Sequence, residues 1–378
     1  MKLQSYIYDG AWNKPLDDTL DSLQSVIFIF ASSQLEKIKK PLADIKNVFK
    51  KSLIIGSSTA GEIFMDEIKD DSFVVTVAHF SHTRVKLFFQ NLSSAKDSYD
   101  VGSQISAALI EDDLKSLFIL SDGLQINGAQ LTHGINSNLN DDIIVTGGLA
   151  ADDDKFESTW IIANGEVYEH SVVGLGLYGD AIRIGHGFQG GWDHFGIQRE
   201  VTRSVDNVVY ELDGKSILDI YKEYLGEKAK DLPVSGLFFP LELQERDSNE
   251  ITVRTILGID EKEGSITYAS DIPEGSRVSL MKANHNRLIE GAFNAAQGID
   301  LQEYKDEALL SIAISCVGRR LVLKQRTEDE LEATLENLPK NTLQIGFYSH
   351  GEISPLKSGF CDLHNQTMTL TTIWEKNA

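Results

Sequence analysis

Short, densely apolar runs separated by polar stretches set the rhythm of the chain, and their spacing predicts its elements. Residues 25–30 (SVIFIF) read as a buried strand, and LEKIKKPLADIKNVFKK after it carries apolar residues at helical spacing. Pro41 marks either a kink in one helix or a break between two. SLIIG is a second strand that runs into the small-residue loop 56–61. Residues 73–80 and 84–89 are apolar or alternating around Ser81-His82-Thr83 and predict a long hairpin. The order then recurs: a strand at 116–120, a helix over 128–139, a strand at 143–147 ending in GGLAADDD, and a hairpin from 172–178 and 181–184.

Aligning IFIFASSQ with LFILSDGL, IIGSSTAGE with IVTGGLAAD, and VVTVAHFSHTRVKLFF with VGLGLYGDAIRIGHGF places three landmarks at comparable intervals. This predicts an internal duplication over 25–95 and 115–190, two units related by a pseudo-twofold with their small-residue loops facing each other. Short apolar strands can also resemble one another by composition alone. Residues 204–225 read as a turn at Asp213-Gly214 followed by a helix, and the charged stretch 226–233 (GEKAKDLP) reads as a linker. Beyond it come strands at 236–241, 251–257, 265–269 and 277–281, a helix at 283–297 and an apolar run at 308–316. Thr327 with Glu330 fits a capping box opening a helix that Pro339 ends, and strands at 343–348 and 367–374 follow. The expected class is α+β: an internally duplicated strand-helix-strand-hairpin module with mixed sheets over 1–230, and an antiparallel sheet backed by helices over 231–378.

With 35 Lys and Arg against 57 Asp and Glu in 378 residues, the formal net charge is −22, which repels polyphosphates and anionic lipid and argues against a nucleic-acid partner. At 42% hydrophobic and 24% charged the chain is ordinary globular material with a core to bury. Its two cysteines, Cys316 and Cys361, cannot build a four-thiolate metal site. MKLQSYIYDGAWNK lacks the apolar stretch of an export signal, and no run approaches the roughly 18 apolar residues of a membrane span. A cytoplasmic protein is expected.

Several motifs look catalytic and fail on chemistry. In residues 56–62 (GSSTAGE) the position that a phosphate loop gives to Lys is Glu62, and Ala60 replaces the second glycine of a nucleophile elbow. GHGFQG at 185–190 matches GxGxxG but opens no helix, so a glycine-rich strand end is the better reading. Asp152, Asp153 and Asp154 fit no calcium loop, and His350-Gly-Glu352 with Cys361 lacks the second thiolate of a zinc deaminase. A hydrolase or transferase using Ser57, Ser58 or Cys361 has no further support.

The densest chemistry lies in FYSHGEISPLKSGFCDLHNQTMTL, where His350, Cys361 and His364 stand among Phe347, Tyr348, Phe360 and Trp374. An imidazole or thiolate beside aromatic walls is what a haem iron needs, and Arg319 with Arg320, or Arg254, Arg277 and Arg287, could meet its propionates. Cys361 and His364 are three apart, so on a strand they face opposite ways. Spacing alone favours a plain structural role for His364.

GSSTAGEI, GGLAADDDKFESTWIIANGEV, GWDHFG with VTRSVDNVVYELDGKSILDIY, VRTILGIDEKEGSI with DIPEGSRVSLMKA, SCVGRRLVLKQR, and FYSHGEISP with LHNQT together resemble the FIST family, from about residue 25 to the end. The resemblance implies an N-terminal FIST module over 1–230 and a C-terminal one over 231–378. It implies a bacterial, non-enzymatic sensor, and the two-module length is similar to family members that bind haem b, sense nitric oxide and regulate a partner histidine kinase in a two-component system. The HNQT block agrees with the family, whereas Tyr is common where this chain has His350, and the residue at His194 is often not His. The resemblance therefore ranks His364 first as metal ligand and His350 second, with His194 and His186 behind, and Cys361, Arg319, Arg320 and Tyr348 around the cofactor. The alternative it leaves is a haem-free sensor for a small metabolite such as an amino acid, held between loops 56–62 and 147–152. A homo-oligomer is compatible with either.

Overall fold

The computed structural model describes residues 1–153, 155–246, 248 and 250–376. Among them the chain forms three mixed sheets of six or seven strands and a separate nine-stranded sheet, an α+β fold. The first sheet is built on the parallel pair Ser25–Ser32 and Leu53–Thr59, with Phe73–His79 antiparallel beside Ser25–Ser32 and Lys2–Asp9 beyond it. The second repeats this with Leu114–Ser121, Ile144–Leu149, Ser171–Tyr178 and Arg84–Asn91. The third repeats it again with Leu309–Cys316, Thr342–Ser349, Met368–Glu375 and Ile182–Gln189.

In each unit the first strand is buried on both faces, which is why it reads as a continuous apolar run. Phe28 and Phe30, Phe118 and Leu120, and Ile312 and Ile314 turn inward to one shared core, where Phe28 meets Phe118 edge-on and Phe30 stacks on Phe347 at 4.8 Å. The opposite faces pack outward, Ile27 and Ile29 with residues of helix Leu35–Val48, and Leu117 and Ile119 with residues of helices Ser98–Leu109 and Gly128–Asn136.

What locks the units together is an exchange of hairpins. Glu62–Phe64 with Glu67–Lys69 leaves the first unit and extends the third sheet beside Thr342–Ser349. Ile161–Ala163 with Glu166–Tyr168 leaves the second and extends the first sheet beside Leu53–Thr59. Gly351–Pro355 with Cys361–His364 leaves the third and extends the second sheet beside Ile144–Leu149. At the three crossing points the same backbone bond recurs: Ala60 N–H to Tyr348 O (2.9 Å), Ala151 N–H to Ser58 O (3.1 Å) and His350 N–H to Leu149 O (3.3 Å). The relation is thus a pseudo-threefold, and the expected duplication is two thirds of it. The third copy escapes a linear reading because residues 193–282 are inserted between its outer strand Ile182–Gln189 and its helix His285–Gln297.

The loops at 56–62 and 147–152 do meet, through the Ala151–Ser58 bond. The strands expected as hairpins are present but do not pair with each other: Phe73–His79 belongs to the first sheet and Arg84–Asn91 to the second, as Ser171–Tyr178 belongs to the second and Ile182–Gln189 to the third. Their joints are crossings between sheets; Glu375 accepts the N–H groups of Ser81, His82 and Thr83 and fixes the first of them. Pro41 neither breaks nor splits Leu35–Val48. The box at Thr327 does not form, because Thr327 Oγ1 donates to Lys324 O and Glu330 is engaged elsewhere. Residues 185–189 of the GxGxxG match lie in a strand paired along its length with Met368–Glu375.

The inserted sheet is antiparallel throughout and backed by helix Ile217–Leu225, with Leu218, Tyr221 and Leu225 in its core. Residues 226–231 are a short 3₁₀ segment against it, and 234–238, expected as the start of a strand, are a second such turn before strand Leu241–Gln244. No helix among the described residues is long and apolar enough to cross a membrane.

Gly56, Gly147 and Gly346 hold one position in the three units, where the backbone of the neighbouring first strand passes over them. A Cβ there would lie 2.4 Å from Ile29 O, 1.9 Å from Ile119 O and 1.7 Å from Ala313 O. Gly346→Ala should therefore cost at least about 2 kcal/mol in denaturant unfolding, the range of core overpacking, whereas Gly258→Ala, whose added carbon would meet nothing within 4 Å, should change it by under about 0.5 kcal/mol.

Candidate functional site

Two clefts open at the carboxyl ends of the parallel strands, the position at which sheets of this kind leave room for ligands. They lie on opposite sides of helix Val317–Leu323, and Val317, Leu321 and Lys324 border both.

The larger, about 700 Å³, is polar. Its floor is the end of strand Leu53–Thr59 and the turn at Gly61, which is at φ +120° and lies so close to Arg320 that a Cβ would sit 2.5 Å from Nη1. Arg320 reaches in from helix Val317–Leu323, donates to Ala60 O and, at 2.6 Å, to Asp70 Oδ1, and has Asp153 Oδ1 at 3.8 Å. Its guanidinium lies 5.8 Å from the ring centre of Tyr348. Asp71 completes the acidic side and is tied to Ser32 Oγ (2.9 Å) and Lys37 (2.8 Å). Lys324 stands on the rim with no ion pair among the described residues. Both signs of charge thus face one space a few residues wide.

Glu62, in the wall of this cleft, is almost fully buried. It accepts from Thr59 Oγ1 (2.5 Å) and from Ser72 N and Oγ (2.9 and 2.7 Å). Glu352 repeats the clamp in the third unit, accepting from Ser349 Oγ (2.7 Å) and from Thr367 N and Oγ1 (3.2 and 2.7 Å). Burial outweighs these hydrogen bonds and pushes the carboxyls up, to about 7 for Glu62 and about 8 for Glu352.

The smaller cleft is an apolar slot of about 370 Å³ between helix Val317–Leu323, the inserted sheet's turns and the loop carrying Phe156. Asp152 builds that loop: its carboxylate accepts the N–H groups of Phe156 (3.2 Å), Glu157 (2.7 Å) and Ser158 (2.9 Å), which places the Phe156 ring on that of His350 at 4.7 Å. Asp152 is thus engaged in holding the loop, Asp153 faces the polar cleft, and Asp154 lies outside the described residues.

The residues expected around a haem are distributed, not gathered. His350 borders the apolar slot, but Nε2 is bonded to Asp153 O (3.1 Å) and Nδ1 is turned towards the backbone at Gly123 without a hydrogen bond. His364 is fully buried, its Nε2 against Ser354 O (3.1 Å) and its ring 4.3 Å from Phe188. Burial lowers the proton affinity of both, and of His186, which lies in strand Ile182–Gln189. His194 is 69% exposed and lies 3.4 Å from Glu242. Cys361 is buried with Sγ 3.2 Å from Asn136 Oδ1, and burial pushes its thiol up. Arg254 is buried and donates to Leu363 O. Among the described residues no group of three or more His, Cys, Asp or Glu could hold a metal ion. A haem iron taken at Nε2 of His350 or His364 would displace the hydrogen bond to Asp153 O or Ser354 O.

Arg319 and Tyr348 hold the framework of the clefts. Arg319 is fully buried, paired with Glu330 (Nε 3.0 Å, Nη2 2.7 Å), and donates to Leu288 O (2.8 Å) and Gly190 O. Tyr348 Oη donates to Glu330 Oε1 at 2.7 Å. Removing one partner of such a pair costs about 3–5 kcal/mol because the other charge stays buried alone. Four participants in the clefts escaped the sequence reading: Lys324, Asp70, Asp71 and Phe156. The repeated Ser/Thr-x-Gly-Glu of 59–62 and 349–352 is the signal that would have pointed to the first cleft's floor.

A glutamate in an unfolded chain titrates near 4.3. Between there and 7 or 8 the folded protein keeps protons on Glu62 and Glu352 that the unfolded chain has lost, so their contribution to stability is full at low pH and falls as pH rises through that window. The double variant Glu62→Gln, Glu352→Gln should flatten the loss of unfolding free energy between pH 5 and 8 by up to about 1.4 kcal/mol per pH unit for each group, measured by denaturant titration at each pH.

The FIST N domain matches residues 25–215 and the FIST C domain residues 218–355. An uncharacterised protein of Methanocaldococcus jannaschii is 26% identical over 352 residues, a match covering 86% of this chain and 65% of that protein, so the chain spans just under two thirds of its relative's length. FIST domains are sensory domains of signalling proteins. With both domains in order over most of its length, the chain belongs to the FIST family.

Proposed function

We propose that this protein senses a small zwitterionic metabolite, such as an amino acid, in the polar cleft, and passes its occupancy to a signalling partner such as a histidine kinase by protein contact, without catalysing a reaction. One observation supports this above the others: the unpaired Lys324, Arg320 with its partner Asp70, and the carboxylates of Asp71 and Asp153 line one space of about 700 Å³, so a carboxylate and an ammonium on one small molecule each find an opposite charge. A binding event here acts on helix Val317–Leu323, through which it can alter the apolar slot and the inserted sheet beyond it. Both cysteines are unpaired, which suits the cytoplasmic setting we infer.

A second reading, haem and nitric oxide, draws its support from His350 at the edge of an apolar slot with Phe156 against its ring. The two readings separate in one set of measurements. On the first, haem-free protein screened against the twenty amino acids shows a rise in melting temperature of several degrees with a subset of them, which at a hundredfold excess over Kd reflects about 2.7 kcal/mol, and Arg320→Ala and Lys324→Ala abolish it. On the second, added haemin gives a Soret band that moves with nitric oxide and is lost in His350→Ala. No shift with any amino acid, together with such a band, would replace the first reading by the second.

A further inference from the structure

The apolar slot has the features of a ligand site in its own right. Its mouth is ringed by three large apolar side chains from separate segments, Phe156 (51% exposed), Val234 (68%) and Leu257 (45%). A concentration of exposed apolar surface at the mouth of a cavity is uncommon on a folded protein without an occupant. Its wall also carries a polar group without a partner. Thr255 Oγ1, on the wall, is buried with no hydrogen-bond partner. Behind Gly318, also on the wall, lies the side-chain amide of Gln366, whose nitrogen and oxygen are both buried and both unpartnered.

The amide packs directly on Gly318: a Cβ there would lie 2.5 Å from Gln366 Nε2 and 2.9 Å from Oε1. The amide is also aimed by its backbone. Gln366 is at φ +62°, a region a side-chain-bearing residue seldom occupies, and its carbonyl is held by Trp192 Nε1 at 2.8 Å. A buried polar group with no partner is costly, so a ligand group that meets Thr255 Oγ1 on the slot wall is favoured. At the rim, Lys324 offers an ammonium with no ion pair among the described residues.

We infer that the slot binds an apolar carboxylic acid, aromatic or of medium chain length, with its hydrocarbon between Phe156, Val234, Leu257 and Phe238 and its head met by Thr255 and Lys324. This is a second site, adjoining the polar cleft along the Val317, Leu321 and Lys324 edge of the same helix.

The probe is 8-anilino-1-naphthalenesulfonate, an apolar anion whose emission reports entry into a dry site, with decanoate as competitor. The expected result is saturable one-to-one enhancement that decanoate displaces, and affinity at least tenfold weaker in Val234→Asn and Leu257→Asn. Both positions are exposed, so the circular dichroism and melting temperature of these variants should match the parent. Thr255→Val, which removes the buried hydroxyl on the slot wall, should weaken displacement by decanoate; should it fail to fold, the two surface variants decide the matter alone. Arg320→Ala should leave probe binding unchanged even if it abolishes every response to amino acids, so failure at one site is distinguishable from failure at the other. Non-saturable enhancement, equal affinity in the two Asn variants, or displacement of the probe by haemin with a Soret band that depends on His350 would overturn the proposal.

Discussion

The hydrogen-bonded ring at Ala60–Tyr348, Ala151–Ser58 and His350–Leu149 is the constraint on which the rest of the molecule depends. Each unit ends its second parallel strand at the ring and sends a hairpin to cover the exposed strand edge of a neighbour. The exchange removes three edges that would otherwise invite association with other chains. It also explains the recurrence of glycine at 56, 147 and 346, since the backbone can approach its neighbour so closely only where no side chain intervenes. The common core follows from it, because three first strands held around one axis direct Phe28, Phe118 and Ile312 to the same point.

The pseudo-symmetry also accounts for the clefts. Positions 32, 122 and 316 are equivalent, as are 60, 151 and 350, so the polar cleft in the first unit and the apolar slot in the third occupy corresponding places. They differ by substitution: Ser32 and Ala60 leave the first cleft open and polar, while Cys316 and His350 narrow and dry the other. In the second unit the corresponding ground at Gly123 is met by the His350 ring itself. A single ancestral geometry thus yields two chemically unlike recesses, with the buried knot of Arg319, Glu330 and Tyr348 fixing the helix between them.

Much of this was legible in the chain. The apolar runs gave the first strand of every unit, because burial on both faces leaves a composition that little else has, and the long family-like blocks gave the fold class. The pairing was not legible. Ser81-His82-Thr83 has the look of a hairpin turn, yet its two strands pair with Ser25–Ser32 and Ser171–Tyr178 in different sheets, and Glu375 from the far end of the chain holds the turn. The third copy was hidden by the insertion at 193–282, although the clamps Thr59-x-Gly61-Glu62 and Ser349-x-Gly351-Glu352 carried its trace. The ranking of His364 first rested on the family resemblance of its HNQT block; Phe188 packs against the ring, and sequence does not distinguish an aromatic wall lining a space from one filling it.

The exchange of hairpins has a consequence for how the protein is made. Residues 62–69 emerge early from the ribosome, but the edge they must join, Thr342–Ser349, is synthesised near the end, some 270 residues later. Until then the nascent chain carries an orphaned ribbon and an open horseshoe of two sheets, with Phe30 awaiting Phe347. Closure is therefore a late, long-range event, of the kind that slows folding, and translation of the final strands doubles as the step that commits the whole body to its native shape.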